Sequence, residues 1–382
     1  MFISDSHMPQ VLSATDYYSP EQHERELSQL LLPGWHLVGT LAELANDGDY
    51  LTQDLLGHPL IVWKIDGDVH AFLNVCPHRA CMLTHADHGS MPRLKCQYHG
   101  WEFDGTGNTR KIPDAKSFRP MESGIVGLHR FRTETVGQLI FVTLNDEAPS
   151  LAEYLGPAYE LCKEIADDTW QSNGVSDRLM DANWKIYIEN TIETYHVETV
   201  HPTTIREIPA EETCVHEFDD RWSLLKTSGK DGHLDFLDRI AHRVLGVKRD
   251  PDYWNMLIYP NLVIGKMSLF SWVDETLPMG PDKMRIVARG FLKIGKRGVL
   301  PAIMASLVRR WGRGFFTRLV AEDAAVLPSV QQGLRSPLQP PGGLISIREE
   351  RVFHFQKYVQ EHTAQITKTE SPGEPTHKLT RQ

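Results

Sequence analysis

The chain has 382 residues, 41% of them hydrophobic and 24% charged, with a formal net charge of −10. That length accommodates two domains and a substantial core, while the acidic balance argues against a nucleic-acid partner, since phosphate binding wants a basic field. No run approaches the roughly 18 apolar residues of a membrane span, Met1–Gln10 lacks the basic and apolar regions of a secretory leader, and five cysteines without framework spacing suit a reducing compartment, so a cytoplasmic protein is expected.

Tyr17 to Leu32 reads as a helix, opened by Ser19-Pro20-Glu21, carrying Leu27, Leu30 and Leu31 at helical spacing and stopped by Pro33-Gly34. From Trp35 to Leu144 the pattern turns to short strands, with a hairpin signal at Ile65-Asp66-Gly67-Asp68. Within this stretch lie Cys76-Pro77-His78-Arg79 and Cys96-Gln97-Tyr98-His99-Gly100-Trp101, which read as C-x-H followed by C-x-x-H. Two thiolates and two imidazoles on two short loops are the inventory of a Rieske [2Fe–2S] centre, with Cys76 and Cys96 on one iron and His78 and His99 on the other. A zinc site would usually keep its cysteine pair and its histidine pair on separate elements, and here each loop is mixed. Cys81 reads as a buried or idle thiol. Asn145 to Pro149 is a polar linker, and an antiparallel β domain ends there.

The second informative stretch runs from Asn183 to Pro202. A continuous helix would place Glu189, Glu193 and His196 on one face. His201 lies about 140° further round than His196 on an ideal helix, so both can reach one metal only if the helix ends between them. Thr199-Val200 and Pro202 make that end plausible. Two histidines want a carboxylate to complete the 2-His-1-carboxylate triad that leaves positions open on Fe(II). The candidates are Glu322 and Asp323, and spacing alone does not separate them.

Together these motifs resemble the α subunit of a Rieske non-haem iron oxygenase over nearly the whole chain. Ala80 departs from the glycine that many members carry after the first loop. The resemblance implies an α+β fold, in which an antiparallel β Rieske domain is joined to a helix-grip (START-like) catalytic domain with a curved antiparallel sheet. Residues 1–34 would pack with the catalytic domain, 35–149 form the Rieske domain, 150–362 the catalytic domain, and 363–382 a disordered tail. It implies that His196, His201 and Asp323 bind a mononuclear Fe(II), Asp323 being chosen because the family's carboxylate falls eight residues before a glutamine, here Gln331. It makes Glu193 the acid that links the two iron centres across the interface of a homotrimer, and Asn190 a polar residue near the iron. O2 is the co-substrate. Electrons come from NAD(P)H through a separate flavin and iron–sulfur reductase, directly or by way of a ferredoxin, as no GxGxxG pattern occurs in the chain.

Glutamate rather than aspartate at position 193 is similar to the quaternary ammonium branch, which includes carnitine oxygenase, glycine betaine oxygenase and stachydrine demethylase. The favoured reaction is therefore hydroxylation of a carbon next to nitrogen, giving N-demethylation or C–N cleavage. Mono- or dihydroxylation of an aromatic ring is the enzymatic alternative, and an electron-transfer Rieske protein with a binding domain is the alternative of another class. Trp222, Tyr253, Trp254, Tyr259, Phe270 and Trp272 lie on or near strands expected to wall the substrate pocket. Arg348 to Phe355 resembles a C-terminal strand in which Glu349 or Glu350 would pair with an ammonium group. The basic and apolar segment Pro301 to Val320 is expected to face a neighbouring subunit or the reductase, and Pro328 to kink the helix that follows Asp323.

Overall fold

The computed structural model describes residues 2–119, 126–205, 208–228, 236–338 and 343–364. Two seven-stranded antiparallel sheets dominate it. The first runs, from edge to edge, Trp35–Thr40, Leu139–Thr143, Arg130–Val136, Asp68–Leu73, His58–Ile65, Asp49–Leu55 and His88–Ser90. Its central hairpin turns on Asp66 (φ 53°) and Gly67 (φ 84°), two left-handed residues as a two-residue turn of type I′ requires. A small three-stranded sheet, Leu94–Lys95, Glu102–Phe103 and Thr109–Lys111, carries the second cysteine–histidine loop.

The second large sheet is a meander from Cys214–Phe218 through Trp222–Ser228, Asp252–Ile258, Leu262–Lys266 and Phe270–Gly280 to Lys283–Lys293. Trp170–Met180 closes the far edge beside Lys283–Lys293. Among the described residues eight α-helices accompany the strands: α1 (Pro20–Glu26), α2 (Leu151–Leu155), α3 (Ala158–Ile165), α4 (Trp184–Thr191), α5 (Val197–Val200), α6 (Phe236–Leu245), α7 (Val299–Leu334) and α8 (Glu350–His362).

Trp35, Leu37 and Phe141 from the first sheet share a core with Leu224, Met256, Ile258 and Phe291 from the second. Two polar ties cross the same seam. His36 Nδ1 lies 2.6 Å from the buried Glu275 carboxylate, and the Arg289 guanidinium donates to Val38 O at 2.8 Å and Glu43 Oε2 at 3.0 Å.

The single helix expected over Tyr17–Leu32 is broken into a 3₁₀ turn at Ala14–Tyr17, α1, and a π turn at Leu27–Leu31. The break lies where Ser19 Oγ accepts the Gln22 N–H and Pro20 takes the first helical position, so the α-helix starts there. Its last residue, Glu26, is wholly buried against Lys185 Nζ at 2.6 Å and Trp184 Nε1 at 2.8 Å. Leu12, Tyr17, Leu30 and Leu31 pack into the core around α4.

Arg348 to Phe355 is helical, not a strand. Val352, Phe355 and Val359 recur at helical spacing and are buried, so the apolar run has the longer period. α7 runs unbroken past Pro328 to Leu334. Gln331 near its end is buried, accepting the Asn183 N–H at 2.7 Å and donating to Tyr17 O at 3.2 Å. Thr363, expected in the tail, is buried and accepts from Gln22 Nε2 at 3.0 Å. Residues 365–382 lie outside the described residues.

Candidate active site and cluster loops

The two cysteine–histidine loops are built alike. Cys76 N–H donates to Cys81 O at 2.8 Å and Ala80 N–H to Cys76 O at 3.0 Å, while Cys96 N–H donates to Trp101 O at 2.8 Å and Gly100 N–H to Cys96 O at 3.0 Å. Ala80 (φ 53°) and Gly100 (φ 71°) hold the same left-handed position. A left-handed alanine costs about 1–2 kcal/mol, and glycine gives back about 0.4–1 kcal/mol through its freer unfolded chain. Ala80→Gly is therefore expected to stabilise the domain by about 0.5–1 kcal/mol in denaturant unfolding; an unchanged or lower midpoint would show the turn to be unstrained.

Four side chains converge at this tip. The His78 and His99 rings are 4.6 Å apart, Trp101 stacks on His78 at 4.9 Å, and Phe118 stands edge-on to both His78 and Trp101. Cys76 and Cys96 are buried and their thiols are within hydrogen-bonding reach of each other. Burial pushes the Cys96 thiol up, but the backbone N–H groups of Tyr98 and His99 and the neighbouring thiols outweigh it and bring it below the ordinary value. Burial, His78 and Arg79 lower the pKa of His99, favouring the neutral ring that ligates metals. His78 Nδ1 is buried without a hydrogen-bond partner. Buried thiols and a partnerless ring nitrogen fit an iron–sulfur cluster held by two cysteines and two histidines. Cys81 is half-buried, its thiol 3.3 Å from Met82 O and within reach of Cys96.

The second site lies where α4, α5 and α7 meet. α4 stops at Thr191, so Glu189, Glu193 and His196 do not share a helix face. Glu189 turns away and accepts from Tyr17 Oη at 2.5 Å and Gln356 Nε2 at 3.0 Å, where burial pushes its carboxyl up to about 7. Glu193 folds onto the start of α5, accepting the backbone N–H of Tyr195 and of His196 and holding His196 Nδ1. His196 and His201 flank the single turn of α5, which brings their rings to 5.2 Å.

From α7, Asp323 Oδ1 lies 3.2 Å from His201 Nε2 and 3.7 Å from His196 Nε2, and it accepts from Asn190 Nδ2 at 3.0 Å. The ligating atoms of His196, His201 and Asp323 all lie within 4.8 Å of one another. Glu322 faces the other way, accepting from His201 Nδ1 at 2.8 Å, Thr203 Oγ1 at 2.8 Å and Thr204 Oγ1. The adjacent acids thus divide two tasks, and sequence reasoning, which treated them as rivals, missed the second.

An ionised carboxylate only accepts, so the Nδ1 atoms held by Glu193 and Glu322 carry the protons. Both Nε2 lone pairs then converge on a carboxylate oxygen, an arrangement that repels itself unless a cation sits between. Two imidazoles and one carboxylate with free coordination positions fit non-haem Fe(II). Burial works against a charged His196, but Glu193 and then Asp323 more than offset it and its pKa lies above the ordinary value. Burial likewise raises Asp323, against the Asn190 hydrogen bond and the two histidines.

A cavity of about 370 Å³ opens beside this triad. Tyr187, Tyr253, Phe270, Trp272 and Phe316 supply aromatic wall, and Asp274 belongs to the lining as well. Of the residues expected to wall the pocket, Tyr253, Phe270 and Trp272 line this cavity. Tyr259 is instead stacked on Tyr358 at 4.5 Å, outside the lining. Trp222 and Trp254 project from the opposite sheet face, with Leu224, Met256 and Ile258. Glu349 and Glu350 are not at the cavity. Glu349 accepts the Ser346 N–H at 2.9 Å, and the buried Glu350 holds His216 Nδ1 at 2.7 Å and the backbone of Ile3 and Ser4.

Comparison with known proteins covers both domains. Residues 34–131 match the Rieske [2Fe-2S] domain, and residues 160–365 match the ring hydroxylating alpha subunit (catalytic domain). The chloroplastic choline monooxygenase of Amaranthus tricolor is 26% identical over 91% of this chain and 76% of its own length. The glycine betaine monooxygenase oxygenase subunit of Chromohalobacter salexigens is 24% identical over 94% and 86%. Among solved structures, the quaternary ammonium Rieske monooxygenase CntA superposes with a TM-score of 0.77 at 20% identity, covering 94% of this chain and 95% of that one. Naphthalene 1,2-dioxygenase from a Rhodococcus species gives 0.75 at 19% identity, with 94% of each chain covered. Two metal-fitting sites on this fold, and family matches that cover both domains, have one reading: the chain belongs to the ring-hydroxylating α-subunit family, the Rieske non-haem iron oxygenases.

Proposed function

We propose that this chain is the terminal oxygenase of a multicomponent system that hydroxylates a carbon next to nitrogen in a quaternary ammonium compound, giving N-demethylation or C–N cleavage. The aromatic wall carries this reading: Tyr187, Tyr253, Phe270, Trp272 and Phe316 surround space beside His196, His201 and Asp323, and π faces attract a cation most strongly where water is excluded. The two arginines in the lining, Arg178 and Arg313, are half-buried and exposed, so an aromatic acid finds no fully buried arginine or lysine in the described lining. Similarity to choline and glycine betaine monooxygenases supports the same class. An uncharged aromatic ring also suits such walls, which keeps ring hydroxylation as the second reading.

In this proposal Cys76, Cys96, His78 and His99 hold the [2Fe–2S] cluster, and His196, His201 and Asp323 hold the Fe(II). When bound, the cluster supplies single electrons and the iron supplies the oxygen-activating centre. The chain's own side chains orient those donors. Glu193 and Glu322 fix the two imidazoles through their outer nitrogens, and Asn190 fixes the Asp323 carboxylate. Glu322→Gln is expected to lower iron affinity about 10–100-fold, measured by anaerobic Fe(II) titration; unchanged affinity would reduce the residue to a surface contact.

Electrons are assigned to a separate flavin and iron–sulfur reductase drawing on NAD(P)H. They are taken to cross between subunits of a homotrimer by way of Glu193, because among the described residues the apolar side chains clustered around the cluster loops in one chain all come from residues 50–128. Each turnover places one atom of O2 in the substrate C–H bond and releases the other as water, using two electrons and two protons. The resulting N-hydroxymethyl ammonium compound breaks its C–N bond to formaldehyde, a proton and a tertiary amine. The test supplies the iron-loaded protein with a reductase, NADH, and either trimethylammonium compounds or aromatic acids. Formaldehyde or a free trialkylamine formed in step with O2 uptake is the expected result, and products from aromatic acids alone would overturn the reading.

A further inference from the structure

Asp274 stands apart among the buried acids of the described residues. Glu26 has Lys185, Glu275 has His36, Glu350 has His216, and Glu102 has Arg93, Lys95 and Lys111. Asp274 is 6% exposed, yet its one contact is the Tyr187 O–H on Oδ2 at a long 3.4 Å, and its Oδ1 has no partner. A buried carboxylate with no cation beside it costs stability and is retained where something else uses it. Desolvation accordingly pushes its carboxyl up to about 7, and no positive charge opposes that rise.

Its position says what would use it. Strand alternation puts Phe270, Trp272 and Asp274 on one face, towards the cavity. The neighbouring strand sets Gly290 opposite Trp272 and Ala288 opposite Asp274, two small residues that leave the space open. On α4, Tyr187 reaches Asp274 and Asn190 reaches Asp323, so the two carboxylates are served by residues three positions apart, about 4.5 Å along the helix. The lining thus combines carboxylates with aromatic rings, and its two arginines, Arg178 and Arg313, are half-buried and exposed.

We infer that Asp274 is the specificity-determining residue that selects a cationic nitrogen in this cavity and sets that nitrogen's neighbouring carbon beside the triad. This rests on the quaternary ammonium reading above and supplies its charge partner.

The test measures binding of choline and of γ-butyrobetaine, each against the isostere in which a tert-butyl carbon replaces the ammonium nitrogen, to iron-loaded protein through reshaping of the ferrous nitrosyl EPR signal. The protein should bind at least one ammonium compound at least about tenfold tighter than its isostere, as expected for a charge beside a poorly solvated carboxylate. Asp274→Asn should bring that pair to parity by weakening the cation alone, with the melting temperature unchanged or raised, which a merely structural role would not give. Failure of the unsubstituted protein to discriminate overturns the inference, as does discrimination that survives in Asp274→Asn. Loss of the Rieske absorption in both Asp274→Asn and Asp274→Ala would mark a structural residue and overturn it too. The dealkylation reading fails separately: a selectively bound ammonium compound that yields no aldehyde or amine sinks that reading and leaves the charge selection standing.

Discussion

Asp323→Ala is expected to abolish substrate oxidation, by roughly a thousandfold or more, while the Rieske absorption stays intact. The estimate starts from outer partners of metal ligands, which alone are worth about 10–100-fold; a ligand itself weighs more. Without the carboxylate, two imidazoles from one short segment would be left to hold a dication. Glu322 cannot take over, although it is the next residue, because its carboxylate is engaged by His201 Nδ1, Thr203 and Thr204. The readouts are iron content by mass spectrometry, Rieske absorbance, and the high-spin nitrosyl signal of reduced protein exposed to nitric oxide. The triad loses Asp323 if the variant keeps that signal and its turnover.

Glu193→Ala should produce a different failure: turnover falls about a hundredfold or more while both metal sites remain filled. The magnitude is the upper end of what an outer carboxylate on a metal-bound imidazole is worth. Within one chain Glu193 holds His196 Nδ1 and caps the turn that carries it. Were that its whole task, alanine would loosen the histidine and iron would be lost. Were its dominant task instead to link electrons arriving from a neighbouring cluster, iron would stay and turnover would stop. Iron content and a pre-steady-state record of Rieske oxidation after mixing with O2 separate the two. Full substrate-coupled turnover in Glu193→Ala would remove the linking role altogether.

What could be read from the chain beforehand divides along physical lines. The cluster loops were legible because C-x-H and C-x-x-H are local, with both ligands of a loop within four residues. The triad needed His196 and His201 joined to an acid over a hundred residues away, and only family resemblance chose Asp323 over Glu322. The structure separates them by which face of α7 each occupies. Two of the errors concern where helices run. Resemblance made Arg348 to Phe355 a strand, yet its burial follows a helix, and neither Glu349 nor Glu350 lines the cavity. The helix drawn through Glu189, Glu193 and His196 failed because the chain turns at Ile192 and starts a new helix after His196. Asp274 was invisible in sequence, since a lone acid in an apolar strand declares itself only once its missing partner can be seen.

The pairing of α4 with α7 has a consequence for how this family's genes can change. Asn183 meets Gln331 at one end and Asn190 meets Asp323 at the other, so seven residues on one helix are matched to eight on its antiparallel partner, about 10.5 Å against about 12 Å. A codon gained or lost between either pair would rotate one clasp by about 100° and pull the iron carboxylate out of register. Insertions within these two spans can then be inherited only in compensating pairs. Two intervals of fixed length, far apart in the chain, should drift in amino-acid identity while their spacing stays still.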